Sequence, residues 1–341
     1  MKKDRKDSRT KDDVKALTPV NDRLIKSAYE MSQDRGTIED AMFQHSVLCQ
    51  TFLPYRNPGD DVRVWQQKQG NVSLAVQAGR VFNENGVLEE VGLPYGTKSR
   101  LILAHINSEA IKNQSKIIDV EGSMSAFIKS IGLNLDGRTI REVKEQLRRL
   151  STSKFSLGFS TDGGRGVQYD LQLISAFDLW FPKNEKQRVL WPSRVQLTTE
   201  YFDSLVAHAI PLDNRALAAL AHNAMALDIY SWLAQRLHRI PVNNHHFITW
   251  ENIKLQFGQG YDRMNDFKKI FRKTLTIVST QYREARIEEV PNRGFNLISS
   301  PPPIAPKIMI PGIDFSTGEK GGMIPLSLPS QPEGKGKKSK G

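Results

Sequence analysis

The residues of this chain best suited to chemistry are cations at helical spacing. Between 262 and 280, Arg263, Lys268, Lys269, Arg272 and Lys273 alternate with an apolar face of Met264, Phe267, Phe271, Leu275 and Val278. Between 138 and 150, Arg138, Arg141, Lys144, Arg148 and Arg149 lie away from the face formed by Ile140, Val143, Leu147 and Leu150. A guanidinium pairs bidentately with a guanine edge, and Lys and Arg both neutralise phosphates. These arrays therefore suit contact with nucleic acid. Charge runs on helices are more often only solvated faces, and Glu142 and Glu145 can absorb part of the 138–150 array one turn away. No acid follows Asp266 in 262–280, so that segment is the purer basic surface and the expected main base reader.

Other constellations are set aside. GLPYGTKS at 92–99 resembles a phosphate loop, but that pattern needs four residues between its glycines and a Lys directly after the second. Pro94 also lacks a backbone N–H to offer a phosphate, so a structural turn into a helix is expected. His245 and His246 are adjacent, and neighbours in a strand point to opposite faces, which does not suit one shared ion. Nor do they form the His-apolar-His pattern of a strand-nicking enzyme. Tyr230, Trp232 and Leu233 at helical spacing read as core. No Ser-His-Asp or paired-carboxylate arrangement stands out. The expectation is a protein that is not an enzyme and needs no cofactor or metal.

The net charge of +11 suits a polyanion such as nucleic acid, or anionic lipid, and suits simple solubility equally well. Cys49 is the only cysteine, so no disulfide can form within the chain and a reducing compartment fits. The N-terminal MKKDRKDSRTKDDVK has no apolar stretch of the signal-peptide kind, and no window approaches a membrane span. A soluble, cytoplasmic protein without membrane contact is expected.

The elements that must position the basic arrays form a repeated pattern. A helix at 21–33 and β-structure at 72–93, turning at 83–86, come first. The first copy then has a helix at 97–113, a strand at 117–120, a helix at 123–131, a loop at 132–137 and a helix at 139–150. Thr139 and Glu142 fit a capping box at the start of that last helix. Alternating segments at 155–159 and 167–173 follow, joined by a Gly-rich turn bearing Arg165. The second copy opens with a strand at 195–197 and a helix at 199–207. It continues with a long helix at 214–239, a strand at 247–249, a helix at 250–257 and a loop at 258–260. The helix at 262–280 and a hairpin pairing 285–290 with 295–299 complete it, with Arg293 at the tip.

Helix, strand, helix, helix, hairpin is the order of a winged helix-turn-helix, whose second helix enters the major groove and whose wing can reach a minor groove. The expected fold class is α+β, with tandem winged helix-turn-helix domains at 21–185 and 186–300. Disordered basic tails are expected at 1–20 and 301–341, the latter rich in Pro, Gly and Lys.

Several stretches resemble the plasmid-encoded RepA replication initiators. They are GLPYGTKSRLILAHINSEA, FIKSIGL and REVKEQLRRL in the first half, then VQLTTEYFDSL, IPLDNRALAALAHNAMALDIYSWLAQRL, ITWENIKLQFG and FKKIFRKTL in the second. Together they run from about 92 to 303, and LDIYSWLAQRL is the most specific. The resemblance implies an initiator that binds directly repeated origin sites (iterons) on double-stranded DNA. It also implies help in opening an adjacent AT-rich region, recruitment of the host initiator DnaA and the replicative helicase, and a homodimer in equilibrium with monomer. By the resemblance, Arg263, Lys268, Lys269, Arg272 and Lys273 read bases, with Arg138, Arg141, Lys144 and Arg148 contributing in the first domain. The loop at 134–137 departs from that family, in which a longer Gly/Arg-rich run is expected. The alternative is a winged-helix transcriptional repressor without initiator activity.

Overall fold

The computed structural model describes residues 18–83, 85–119, 125–126, 128–129, 133–160, 166–172, 174–177 and 194–304, all within one unit that ends at Pro306. Most of both expected tails, most of the helix expected at 123–131 and the hairpin tip with Arg165 lie outside the described residues.

Helix α1 (Pro19–Gln33) starts where Thr18 Oγ1 accepts the Asn21 N–H at 3.3 Å, with Pro19 in the first turn. Strands β1 (Ala41–His45), β2 (Val64–Gln69), β3 (Val72–Gln77), β4 (Arg80–Phe82) and β5 (Leu88–Glu90) follow. The expected turn joins β4 to β5, with Asn83 Oδ1 accepting the N–H groups of Asn85 and Val87 and Gly86 at φ +73°.

The central element is α2 (Gly96–Lys112), buried on nearly every side from Ser99 to Ile111. It packs against β1 and several other helices, so even its polar residues find partners inside. Asn107 donates to Gln44 Oε1 at 2.8 Å and accepts the Tyr201 hydroxyl at 2.9 Å. After β6 (Ile117–Asp119) comes α3 (Gly137–Thr152). The capping box read at Thr139 is corrected here. Asp136 is the cap, its Oδ1 accepting the Thr139 N–H at 2.8 Å, and Glu142 turns outward to Arg138 and Lys98.

Strands β7 (Lys154–Ser160), β8 (Gly166–Gln172), β9 (Ile174–Phe177) and β10 (Arg194–Leu197) follow, then α4 (Thr199–His208) and β11 (Ala209–Asp213). The β7–β8 hairpin extends β2 and β3 into a four-stranded antiparallel sheet ordered β2-β3-β7-β8. Strand β10, read from the sequence as the opening of the second copy, instead lies between β6 and β9 of the first. Strand β1 pairs antiparallel with β11, Ala41 opposite Asp213. These pairings tie the two halves of the sequence together.

The helix expected as one piece at 214–239 is divided. It comprises α5 (Asn214–Leu220), α6 (Ala224–Arg236) and a 3-10 turn (Leu237–Arg239). Asn223 is extended at φ −136° and its side chain caps α6 by accepting the Ala226 N–H, which ends one helix and starts the next. Tyr230, Trp232 and Leu233 are core, as expected.

The last unit contains β12 (His245–Thr249), α7 (Trp250–Phe257), α8 (Met264–Gln281), β13 (Arg286–Val290) and β14 (Gly294–Ile298). Its three strands run antiparallel in the order β12-β14-β13, with Thr249 and Val290 both opposite Gly294. The fold is a mixed α+β arrangement.

Candidate nucleic-acid interface

Helix α7 starts at a side-chain cap, Thr249 Oγ1 accepting the Asn252 N–H at 3.3 Å. The backbone N–H of Trp250 donates to Arg293 O at 3.1 Å, which fastens the hairpin tip to the start of α7. The turn to α8 uses Gly258 as the helix cap and Gly260 at φ +74°, a conformation that suits glycine. Behind both helices lies an aromatic cluster. The Trp250 ring is 5.0 Å from Phe295, 5.7 Å from Phe271 and 6.3 Å from Phe267. Such edge contacts add about 0.5–1.5 kcal/mol each beyond burial, so the helix pair is held on the hairpin sheet.

Helix α8 buries Phe267, Phe271, Thr274, Val278 and Gln281. Its opposite face exposes Asn265, Lys269, Arg272 and Thr276, with Lys273 beside them. These four follow the spacing i, i+4, i+7, i+11, a single stripe along the helix. Asn265 and Thr276 belong to the stripe although a search for charge passes over them, and Asn can pair with adenine. Lys268 is half-buried, its Nζ 5.3 Å from the centre of the Trp250 ring, and the Arg272 guanidinium lies 4.9 Å from the same ring. Glu289 on β13 grips Arg272 from the side. Arg263 stands exposed at the start of α8. Arg293 stands exposed at the hairpin tip, 5.2 Å from the Phe247 ring. Among the described residues, no carboxylate lies at ion-pair distance from Arg263, Lys269, Lys273 or Arg293.

The basic residues of α3 are placed differently. Arg138 pairs with Glu142 at 2.9 Å, and Arg148 with Glu89 at 2.9 Å. Arg149, grouped by the sequence with the solvent face, is buried. It meets Glu145 at 2.7 Å and Asp60 at 3.5 Å, donates to Leu93 O at 3.1 Å and lies over Tyr95. Of these partners Asp60, Leu93 and Tyr95 come from segments remote in sequence, which the helical period alone does not show. Lys144 is half-buried, and that burial lowers its pKa. Arg141 is exposed. Arg165 lies outside the described residues.

The loop at 92–99 is occupied by protein contacts. Gly96 takes φ +74° and donates to Pro54 O, Tyr95 donates to Gln146 Oε1 at 2.8 Å, and Ser99 is buried. His245 and His246 are consecutive residues of β12. Among the described residues no group of three His, Cys, Asp or Glu side chains is placed to hold a metal ion, and no helix is long and apolar enough to cross a membrane.

The two halves also meet at a buried ion pair. Arg100 on α2 donates through Nε and Nη2 to both carboxylate oxygens of Asp228 on α6, at 2.6 and 2.8 Å. The turn after α7 is held to the first half by Gln259, which accepts the Tyr55 N–H at 3.0 Å and donates to Leu53 O at 3.2 Å.

Two solved structures are similar in shape to this chain. One is of selenomethionine derivatives of domains 2 and 3 of RctB, at 8% identity and TM-score 0.47, covering 76% of this chain and 99% of that one. The other is of RctB domains 2-3, at 7% identity and TM-score 0.44, covering 74% and 94%. No curated protein sequence matches the chain. A family model described as "Plasmid encoded RepA protein" matches residues 93–252, from the approach to α2 into α7, so α8 and the last hairpin lie beyond the match. Over residues 93–252 the chain is therefore similar to plasmid-encoded RepA proteins.

Proposed function

We propose that the protein starts replication of a plasmid by gripping double-stranded origin DNA with two winged helix-turn-helix units, without being an enzyme. The observation that carries this reading is the exposed Asn265–Lys269–Arg272–Thr276 stripe of α8, flanked by Lys273 and the hairpin-tip Arg293. The family match over 93–252 supports the assignment to plasmid replication.

In the proposed complex α8 lies in a major groove, the β13–β14 hairpin follows the adjacent backbone or minor groove, and Lys269 and Lys273 neutralise phosphates. The first unit contacts the neighbouring stretch through Arg138, Arg141, Lys144, Arg148 and Arg165. Arg100 and Asp228 join α2 to α6, so both units approach DNA as one body and contact centres lie about one helical turn apart. Occupation of directly repeated sites then strains a neighbouring AT-rich segment, and DnaA and the replicative helicase are recruited there. A monomer acts at the origin, in equilibrium with a homodimer.

The test is a salt-titrated gel shift on DNA flanking the protein's own gene against random DNA of equal length, paired with replication of a plasmid carrying that DNA. A ladder of discrete bands on the flanking DNA together with plasmid maintenance supports the initiator. Specific bands without maintenance would leave a repressor. Equal smearing on both DNAs would overturn specific recognition. Incubation of supercoiled origin DNA with Mg²⁺ or Mn²⁺ checks the non-enzymatic reading, which nicked or covalently linked product would defeat.

A further inference from the structure

At the end of the last sheet opposite its hairpin tip, the C-terminal turn of α6 and the start of β12 enclose a pocket of about 350 Å³. Arg236, Arg239, Asn244, His245 and His246 supply its polar wall, and no carboxylate is among its lining residues. Arg236 is half-buried, its Nη2 lies 2.8 Å from His246 Nε2, and its Nε is buried with no hydrogen-bond partner.

The arrangement differs from the chain's other half-buried or buried arginines that carry paired charge. Arg100 has Asp228 at 2.6 Å, Arg149 has Glu145 at 2.7 Å and Arg215 has Asp213 at 2.8 Å. Among the described residues, neither Arg236 nor Arg239 has a carboxylate at ion-pair distance. A guanidinium does not shed its proton in a protein, so the partial burial of Arg236 leaves its charge in want of an anion, and Arg239 adds a second, exposed cation beside it. Burial lowers the pKa of Arg236, and burial and then Arg236 lower that of His246. Two guanidinium forks with an amide and imidazoles beside them match the several acceptor oxygens of a phosphate better than the two of a carboxylate.

We propose that this pocket binds a phosphate group. Its source is either a backbone phosphate of bound DNA or a free phosphate compound. His245 lies opposite Ile298 and Thr249 opposite Gly294, so the pocket sits about 13 Å along β12 from the hairpin tip. The site itself does not depend on the DNA-binding proposal.

The full chain, with 15N-labelled histidine, is titrated with inorganic phosphate and then pyrophosphate while the ring signals of His245 and His246 are followed. Saturable shifts with half-effect below about 1 mM are expected, weakened at least about tenfold in R239Q and in H246Q. These two exposed positions serve should R236Q fail to fold. In parallel, the salt slope of DNA binding is measured for the same variants. A slope reduced by about one for R239Q assigns the site to the DNA backbone. Saturable phosphate binding by the parent, weakened in R239Q while the salt slope of DNA binding stays unchanged, assigns it to a free phosphate compound. Absence of any saturable shift together with unchanged slopes overturns the proposal. Loss of specific DNA binding in the parent chain would defeat the initiator reading while leaving the phosphate titration to decide this one.

Discussion

Arg272 of α8 and Glu289 of β13 form a bidentate clamp across the helix and the hairpin. Arg272 Nη2 is 2.6 Å from Glu289 Oε1, and its Nε is 3.0 and 3.1 Å from the two carboxylate oxygens. The guanidinium is thereby held in one plane against Trp250, and the side-chain bond to Glu289 raises its pKa. An exposed pair of this kind adds at most about 1 kcal/mol to stability, so its larger consequence is the orientation of the cation. E289Q should therefore leave the melting temperature nearly unchanged. It should strengthen binding to random DNA by removing a negative charge, while lowering the ratio of specific to random affinity. Gel shifts at matched salt measure both, and an unchanged ratio would place Arg272 outside the base-reading set.

Lysines and base-edge readers on α8 should separate by the kind of loss they cause. K273Q should weaken specific and random DNA alike and reduce the salt slope by about one. R272A and N265A should each cost specific binding about 1–3 kcal/mol and relax preference at one base position. Binding-site selection with each variant checks the difference. A K273Q protein that loses only specific binding would reverse the two roles.

The buried pair between α2 and α6 gives a stability prediction. Burial pushes the pKa of the Asp228 carboxyl up, against the attraction and hydrogen bonds of Arg100 that favour its charged form. Asp228→Asn leaves the Arg100 guanidinium buried without a full counter-charge and should cost about 3 kcal/mol in urea unfolding. Replacing both by leucine should cost less than D228N alone. If D228N unfolded at the same urea concentration as the parent, the pair would not be holding the halves together.

Acid should loosen the β1–α4 region. His45 is fully buried, its Nδ1 accepts the Val47 N–H at 3.2 Å and its Nε2 lies 3.0 Å from Ser204 Oγ, an arrangement that requires the neutral ring. Burial, and then His208, lower its pKa from 6.5 to about 3. Because the folded value is depressed, its stabilising contribution is complete above pH 6.5 and is lost as the pH falls toward 3. The slope from one such proton is about 1.4 kcal/mol per pH unit. Urea midpoints between pH 7 and pH 4.5 should fall accordingly, and H45Q should flatten the dependence. A parent protein equally stable across that range would contradict it.

Much of the last unit was legible in the sequence because its signals are local. Thr249 before Trp250, Gly258 and Gly260 after Phe257, and the apolar spacing of Phe267, Phe271 and Val278 mark α7, the turn and α8 within a few residues each. The break at Asn223 was not legible, since the apolar period continues across it and only the extended backbone and the cap on Ala226 end the helix. Nor was the division of labour between α3 and α8. Both show cations opposite an apolar face, but Asp60, Glu89 and Tyr95 arrive from elsewhere to engage Arg148 and Arg149.

The sequence by itself determined the apolar face of α8, the strand–helix–helix–hairpin order from β12 to β14 and the resemblance to the RepA family, because caps, glycines and periodicity act over a few residues. Only the tertiary structure decided that β10 lies between β6 and β9, that β1 reaches β11 and that Arg100 meets Asp228. It also decided which cations remain at the surface. Strand pairing and charge pairing join residues up to more than a hundred positions apart, and which partner is met depends on how the whole core closes rather than on any local pattern.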